Sequence, residues 1–228
     1  EGFLLFEDPP KPGVGAVIND LKRHGVRLKI ITGDHALVAR HAAAAVGLND
    51  PRTLTGRELE GLNEVELRQR AWDIDLFAQI DPHQKERIVR ALRAGGRVVG
   101  YLGDGINDAP SLRAADVGIS VDSAVDVARE SADFVLLSHD LDVLRRGVVL
   151  GRTTFANTMK YVLATISANF GNMLSMVVAS AFLPFLPLLA KQILLNNLLS
   201  DLPSLAISTD RVDREWIERP HRWRVRDI

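Results

Sequence analysis

Hydrophobic residues in the first two thirds of the chain occur in short runs that alternate with amphipathic stretches. Short apolar runs predict buried strands, and apolar residues three or four positions apart predict helices. The alternation of the two predicts an α/β fold with a doubly wound parallel sheet. The predicted strands are 26–31, 76–80, 98–102, 117–121 and 134–137, with a further strand-like run at 2–6. The predicted helices are 14–24, 35–46, 84–94, 109–115 and 124–131. A polar stretch, to which the pattern assigns no element, separates the second of these helices from Asp75.

A different pattern begins at Tyr161, because no charged residue occurs from there to Ala190. About 20 apolar residues cross the hydrocarbon core of a membrane. Together with the apolar run that follows, this stretch predicts a transmembrane helical hairpin with spans at 161–183 and 188–208. Basic residues flank both ends, which places both ends in the cytoplasm by the positive-inside tendency. Two buried helices of a soluble core are the alternative, although such cores rarely contain so long an uncharged stretch.

The overall composition hides this division. With 46% hydrophobic residues, 25% charged residues and a net charge of -1, the chain resembles an ordinary soluble protein. The pattern instead predicts an α/β domain at 1–145, the hairpin with a cytoplasmic helical extension at 146–210, and a basic cytoplasmic tail at 211–228. The absence of cysteine excludes disulfides and thiolate metal sites. Acidic residues interrupt the short basic tail, so nucleic-acid binding is not predicted.

Three polar groups lie at or near the ends of predicted strands. Thr32-Gly33-Asp34 follows the strand 26–31, and its hydroxyl and backbone N–H groups are suited to a phosphoryl oxygen. Lys85 lies in the first turn of a predicted helix. The run Gly103-Asp104-Gly105-Ile106-Asn107-Asp108-Ala109-Pro110 follows the strand 98–102, and its carboxylates are suited to Mg²⁺. Asn107 is predicted to cap the helix that starts at Asp108. Taken singly, the first group also fits a capping turn and Lys85 fits a solvated surface residue.

The run from Gly103 to Pro110 resembles the hinge motif of the P-type cation-transporting ATPases, and Asp8-Pro9-Pro10-Lys11 resembles the motif at their domain join. The order of hydroxyl, cation and carboxylate is similar to that of the haloacid-dehalogenase-like phosphotransferase fold. The resemblance implies aspartyl-phosphate chemistry with ATP and Mg²⁺ as cofactors. It implies catalytic roles for Thr32, Gly33, Asp34, Lys85 and Asn107. It further implies cofactor binding by Asp8 together with Thr32, Gly33, Asp34 and Lys85, and a catalytic Mg²⁺ on Asp104 and Asp108.

Polar residues inside the predicted spans are spaced so that each pair shares one helix face. Asn169 and Asn172 are three apart, and Asn197 and Asp201 are four apart. Their oxygen atoms suit a hard cation such as Mg²⁺ or Ca²⁺. The surrounding residues resemble the magnesium-transporting bacterial type, whereas calcium pumps usually carry Glu at the position of Asn172. Hydrogen bonding between helices is the alternative role for these asparagines.

The family's phosphorylated aspartate lies in an Asp-Lys-Thr-Gly-Thr motif, which this chain does not contain. The resemblance therefore implies a fragment: the later part of the phosphorylation domain with the fifth and sixth transmembrane helices. Implied partners are ATP, a transported divalent cation, the lipid bilayer and the remaining domains of the pump. The implied location is the cell membrane, in bacteria the inner membrane, with the α/β domain in the cytoplasm. Alternatives are a pump of another cation, a membrane-anchored phosphatase that lacks its nucleophile, and a non-catalytic membrane protein that pairs with a pump.

Overall fold

The computed structural model describes residues 10–138, 140–185 and 187–223. The chain forms two compact units, Glu1–Arg145 and Arg146–Ile228. The predicted strand 2–6 and Asp8 lie outside the described residues. Parallel strands with intervening helices make up the first unit, as the pattern predicts, and helices make up the second.

The first unit contains two parallel sheets of three strands each. The strand order is β1-β3-β2 in one sheet and β4-β5-β6 in the other, so that β1 and β4 are edge strands. All four strand pairings are parallel. The prediction of a parallel α/β fold is confirmed, with the strands divided between two sheets. The strands are β1 Ile30–Ile31, β2 Thr53–Thr55, β3 Leu76–Ala78, β4 Gly100–Leu102, β5 Val117–Val121 and β6 Phe134–Leu136.

The five predicted helices of this unit are present, with small shifts at their ends. Three of them are α1 Val14–Arg23, α2 Ala36–Ala45 and α5 Pro82–Ala94. The other two are α6 Ala109–Ala114 and α7 Asp126–Ser131. Buried apolar clusters hold the unit together, among them one around Phe77 and one around Leu112. Ile31 and Val99 pack against both clusters, and therefore the two sheets share a core.

The polar stretch before Asp75 contains three elements that the hydrophobic pattern does not predict. It contains β2, α3 (Gly56–Glu60) and α4 (Glu64–Arg70). Both helices are too short for a hydrophobic period to reveal, but each begins with a capping box. In α3 the pair is Thr55 and Glu58, and in α4 it is Asn63 and Glu66.

The strand predicted at 26–31 is reduced to Ile30–Ile31, and two residues before it contact the segment before β3 through their side chains. The Lys29 ammonium donates to the carbonyl oxygens of Trp72, at 2.6 Å, and Ile74. The Arg27 guanidinium pairs with Asp75 at 3.1 Å. Burial, followed by the charge of Arg27, lowers the pKa of Lys29 to about 8.

The long helix α8, Leu141–Phe182, crosses the boundary between the units after Arg145, and most of it belongs to the second unit. The second unit also contains α9 (Ala190–Ile207) and the short α10 (Arg214–Glu218), which the pattern did not predict. Among the described residues, α8 is the one helix long and apolar enough to cross a membrane. Helix α9 occupies the predicted second span, and its crossing of the membrane stays a prediction.

The segment after α9 is bound to α8 by polar contacts within the second unit. The buried Asn157 amide donates to the carbonyl oxygens of Ser208, at 3.5 Å, and Asp210, at 3.1 Å. The Lys160 ammonium lies 2.7 Å from the Asp210 carboxylate, and Arg152 donates to the Ile217 carbonyl at 2.7 Å. These contacts fix the start of the tail against the helix.

Candidate functional site

Thr32, Gly33 and Asp34 lie directly after β1, at the carboxyl end of the strand. The Thr32 backbone continues the pairing, donating to the Phe77 carbonyl at 2.9 Å and accepting from the Ile80 N–H at 3.0 Å. The Thr32 hydroxyl donates to the Asp34 carboxylate at 2.8 Å, and Gly33 and Asp34 are exposed. Helix α2 is capped by His35 rather than by this turn, which leaves the three residues outside the helix.

Helix α5 places Lys85 in its first turn because Asp81 caps it. The Asp81 carboxylate accepts from the Gln84 N–H at 2.8 Å, and the Gln84 side chain returns to the Asp81 N–H, which completes a capping box. The Lys85 ammonium lies 2.8 Å from Oδ1 of Asp108. The two side chains are only 17% and 11% exposed. The pairing of Lys85 with Asp108 is not evident in the sequence, where 23 residues separate them.

The residues after β4 form a 3-10 turn, Ile106–Asp108, before α6 starts at Ala109. Asn107 therefore does not cap a helix that begins at Asp108, and that prediction is wrong. The Asp108 N–H donates to the Gly105 carbonyl at 3.0 Å, and this bond closes the turn before the helix starts. The exposed Asn107 lies inside the turn. Asp108 occupies the cap position of α6 without a side-chain capping bond.

Asp108 is the centre of a buried polar cluster. Its Oδ1 accepts hydrogen bonds from Lys85 and from the Tyr101 hydroxyl, each at 2.8 Å, and its Oδ2 accepts from the Gly105 N–H at 3.2 Å. Burial alone raises the pKa of this carboxyl, but the bonds from Lys85 and Tyr101 outweigh it and the pKa is lowered. Burial, and then the bond to Asp108, raises the pKa of Tyr101. The cluster thus holds an ionised carboxylate beside a neutral phenol.

Asp104 is exposed at the end of β4, four residues before Asp108. Within the described ranges, no group of three or more His, Cys, Asp and Glu side chains is placed to hold a metal ion. Two carboxylates nevertheless fit Mg²⁺, a hard cation that keeps several waters and shares its coordination with phosphate oxygens. A softer metal that needs a complete set of nitrogen or sulfur ligands does not fit this donor set.

Tyr101 is the residue of this site that sequence reasoning missed. The hydrophobic pattern predicts Tyr101 only as part of the apolar strand 98–102. The hydroxyl of a tyrosine in a buried strand needs a hydrogen-bond partner. The position of Tyr101, two residues before Gly103, is therefore the one sequence signal that its partner lies in the motif.

The polar residues of the predicted spans lie on the two long helices of the second unit. Asn169 and Asn172 are on α8, and Asn197 and Asp201 are on α9. Asn172 is partly buried and the other three are exposed. Within the described part of the chain, no hydrogen bond or ion pair joins these four side chains. Their joint role in cation binding stays a prediction.

Comparison with known proteins defines the class of this chain. A family model described as haloacid dehalogenase-like hydrolase matches residues 1–116. The chain belongs to this family of hydrolases, in agreement with its parallel sheets and its strand-end carboxylates. Its relatives are P-type ATPases, which confirms the resemblance carried by the run from Gly103 to Pro110.

The magnesium-transporting ATPase, P-type 1, of Escherichia coli K12 is 51% identical over 100% of this chain and 25% of its own length. A calcium-transporting ATPase of Listeria monocytogenes is 34% identical over 97% of this chain and 26% of its own length. The chain thus spans about a quarter of these relatives. The crystal structure of a zinc-transporting PIB-type ATPase aligns with a TM-score of 0.66 and 24% identity, over 89% of this chain and 28% of that one, and supports the fold.

Proposed function

We propose that this chain is part of an ATP-driven pump that moves Mg²⁺ across the cell membrane through an aspartyl-phosphate intermediate. It contributes the later part of the phosphorylation domain and two membrane helices. The observation that carries the proposal is the buried contact between Lys85 and Asp108, at 2.8 Å, beside the exposed Asp104 at the end of β4. The matches along the whole chain to magnesium-transporting P-type ATPases support it.

The proposed chemistry assigns one electrostatic task to each group. The Lys85 ammonium offsets negative charge on the phosphoryl group, and the Thr32 hydroxyl and the Gly33 and Asp34 N–H groups donate to its oxygens. Asp104 and Asp108 hold Mg²⁺, which supplies charge neutralisation to the phosphate oxygens when bound. Asn107, exposed in the 3-10 turn, is a further donor toward the same ligands. We also include Asp8, which lies outside the described residues, in ATP binding.

The nucleophilic aspartate is proposed to come from another segment of the pump. Strands β1 and β4 are each at one edge of their sheets, and Ile31 in β1 and Val99 directly before β4 pack against both the Phe77 and the Leu112 cluster. Among the described residues no strand pairs with these two edges, and one further parallel strand between β1 and β4 would satisfy both and unite the two sheets. A side chain at the carboxyl end of that strand would lie between Thr32 and Asp104, where the phosphoryl group is proposed to be.

The transported cation is proposed to bind Asn169, Asn172, Asn197 and Asp201. Three amide oxygens and one carboxylate suit Mg²⁺, because this cation gives up few of its waters and needs few charged ligands. A relative with a magnesium-transporting name is 51% identical, whereas a calcium-transporting one is 34% identical, and this difference favours Mg²⁺. In this proposal α8 and α9 span the bacterial inner membrane and the first unit lies in the cytoplasm with ATP.

A chimeric protein tests the proposal. The 228 residues replace the matching quarter of the Escherichia coli relative, and acid-stable phosphate incorporation from ATP is measured. We expect the chimera to form the phosphoenzyme, and Asp104→Asn and Lys85→Ala to reduce its rate of formation roughly 10²- to 10³-fold, since each removes a charge aimed at the reacting phosphate. Asp126→Asn, which alters an exposed carboxylate of α7, is the control. A folded chimera without phosphoenzyme would contradict the proposal.

A further inference from the structure

The Tyr101 side chain is buried beneath the carboxyl end of β4 and is only 8% exposed. Its hydroxyl donates to Oδ1 of Asp108 at 2.8 Å. The role of this tyrosine is not contained in the hinge motif, because Tyr101 precedes Gly103 on the strand. A buried phenol without a partner costs free energy, and here the partner is the carboxylate of a proposed Mg²⁺ ligand.

The Asp108 carboxylate is held from three parts of the first unit. Lys85 reaches it from α5, Tyr101 from β4, and the Gly105 N–H from the loop after β4. Both side-chain donors bind Oδ1, whereas within the described part of the chain Oδ2 accepts a hydrogen bond only from the Gly105 N–H. Oδ2 therefore keeps acceptor capacity for a cation.

The backbone around this carboxylate is fitted to the tyrosine ring. A Cβ atom added to Gly103 would lie 2.6 Å from the Asp108 Cβ and 2.9 Å from the Tyr101 Cε1, so that only glycine leaves room between them. The Gly103 carbonyl accepts a hydrogen bond from the fully buried Ser120 hydroxyl at 2.8 Å. Ring, glycine and carboxylate thus pack as one rigid layer.

We infer that Tyr101 is a positioning residue of the phosphoryl-transfer site, whose hydroxyl fixes the Asp108 carboxylate so that Oδ2 faces the cation. This inference rests on the proposed function. Lys85 alone cannot fix the orientation of the Asp108 carboxylate. Its flexible ammonium must be free to shift between Asp108 and the phosphoryl group that it neutralises. The short, rigid phenol holds Oδ1 while Lys85 acts on the substrate, and the carboxylate keeps its orientation.

Binding of Mn²⁺ to the complete 228-residue chain in detergent, followed by electron paramagnetic resonance, tests the inference without activity. The Asp104→Asn variant identifies the part of the signal that belongs to this site. We expect Tyr101→Phe to weaken that part about tenfold, the size of effect seen when an outer partner of a metal ligand is lost. Tyr161→Phe removes the hydroxyl of the other tyrosine of the chain, on α8, and is expected to bind as the unaltered chain does.

A double-mutant cycle in the chimera separates positioning from general stability. If Tyr101 acts through Asp108, Tyr101→Phe slows phosphoenzyme formation about 5- to 20-fold in the otherwise unaltered protein and has no further effect beside Asp108→Asn. Equal Mn²⁺ affinities of the Tyr101→Phe and Tyr161→Phe variants, or additive effects in the cycle, would overturn the inference about Tyr101 but leave the proposed function standing. If the unaltered chain binds no Mn²⁺ that depends on Asp104, the proposed cation site is wrong and the inference fails with it.

Discussion

Lys85 and Asp108 show how a single buried contact links stability to the chemistry proposed for the site. Their side chains are 17% and 11% exposed, so each charge depends on the other for compensation. If one partner is removed, the charge of the other stays buried without compensation. The free-energy cost of that unpaired charge exceeds the net stabilisation that the intact pair provides. The lowered pKa of Asp108 expresses the same dependence.

We therefore expect Lys85→Ala to reduce the free energy of unfolding by about 1–3 kcal/mol at neutral pH. Because the pKa of Asp108 is lowered in the folded state, its stabilising contribution is present above the unfolded value of about 3.9 and is lost as the pH falls. The difference between variant and unaltered chain should thus shrink toward pH 3. Chemical unfolding at both pH values measures it, with Lys22→Ala on α1 as the exposed control. A difference that does not change with pH would contradict this explanation.

Helix α3 begins in close contact with the segment after β3. Gly56, its first residue, lies at the end of β2, and a Cβ atom there would be 2.2 Å from the Gln79 carbonyl oxygen and 2.7 Å from Oε1 of Gln84. The first of these is a backbone atom of the segment after β3, so neither element can move away without disturbing the sheet.

The Gly56→Ala substitution should accordingly lower the free energy of unfolding by about 1–3 kcal/mol through overpacking. Gly61→Ala, at the other end of α3, is the matched control, since its Cβ atom would make an ordinary contact of 3.5 Å with the Glu58 carbonyl oxygen. Thermal or chemical unfolding of both variants measures the effect. Equal stability of the two would show that α3 does not pack as described.

Lys29 connects the segment before β1 to the segment before β3, and its pKa of about 8 makes this connection depend on pH. Between about pH 8 and 10.5 the folded state has released this proton while the unfolded state still binds one. The free energy of unfolding should therefore rise with pH in this window. Lys29→Met should remove that rise and Lys22→Met should retain it, when unfolding is followed from pH 7 to 10. Parallel pH profiles of the Lys29→Met variant and the unaltered chain would contradict this prediction.

Asn157 holds the segment after α9 against α8, and its loss should free that segment locally. We expect Asn157→Ala to accelerate trypsin cleavage after Arg211 and Arg214 roughly 5- to 30-fold, because two bonds to backbone carbonyls are removed. Asn196→Ala, an exposed asparagine on α9, should leave the rate unchanged. Cleavage that is equally rapid in the two variants would argue against the contact.

The chain as a whole shows which features a sequence reveals without its three-dimensional contacts. Strands β3 to β6 and helices α1, α2 and α5 follow from apolar periodicity, and the carboxylates after β4 follow from the hinge motif. The capped helices α3 and α4 were missed because their few apolar positions form no period. The sequence predicts Lys85 and Asp108 in one candidate site, but it does not predict the hydrogen bonds that join them with Tyr101. Those bonds depend on how α5 packs against the residues around β4 and on no local signal.

The proposal also makes a prediction about the isolated chain. It contains no Asp-Lys-Thr-Gly-Thr motif, so we expect no acid-stable phosphate from ATP and no transport, even when it is folded in detergent or membranes. Incubation with radiolabelled ATP, followed by acid precipitation, measures the acid-stable phosphate. Label that survives acid in the isolated chain would show that another side chain serves as nucleophile, contrary to the proposed division of roles.

The most direct test of the proposal is ATP-driven Mg²⁺ uptake into vesicles that contain the chimera. We expect uptake with the unaltered chain and its loss in Asp201→Asn, whereas Asp126→Asn should transport normally, because only Asp201 supplies a carboxylate among the proposed cation ligands. Calcium uptake should be absent in all three. Uptake of Ca²⁺ in place of Mg²⁺, or Mg²⁺ uptake that survives Asp201→Asn, would contradict the account of this chain as part of a magnesium pump.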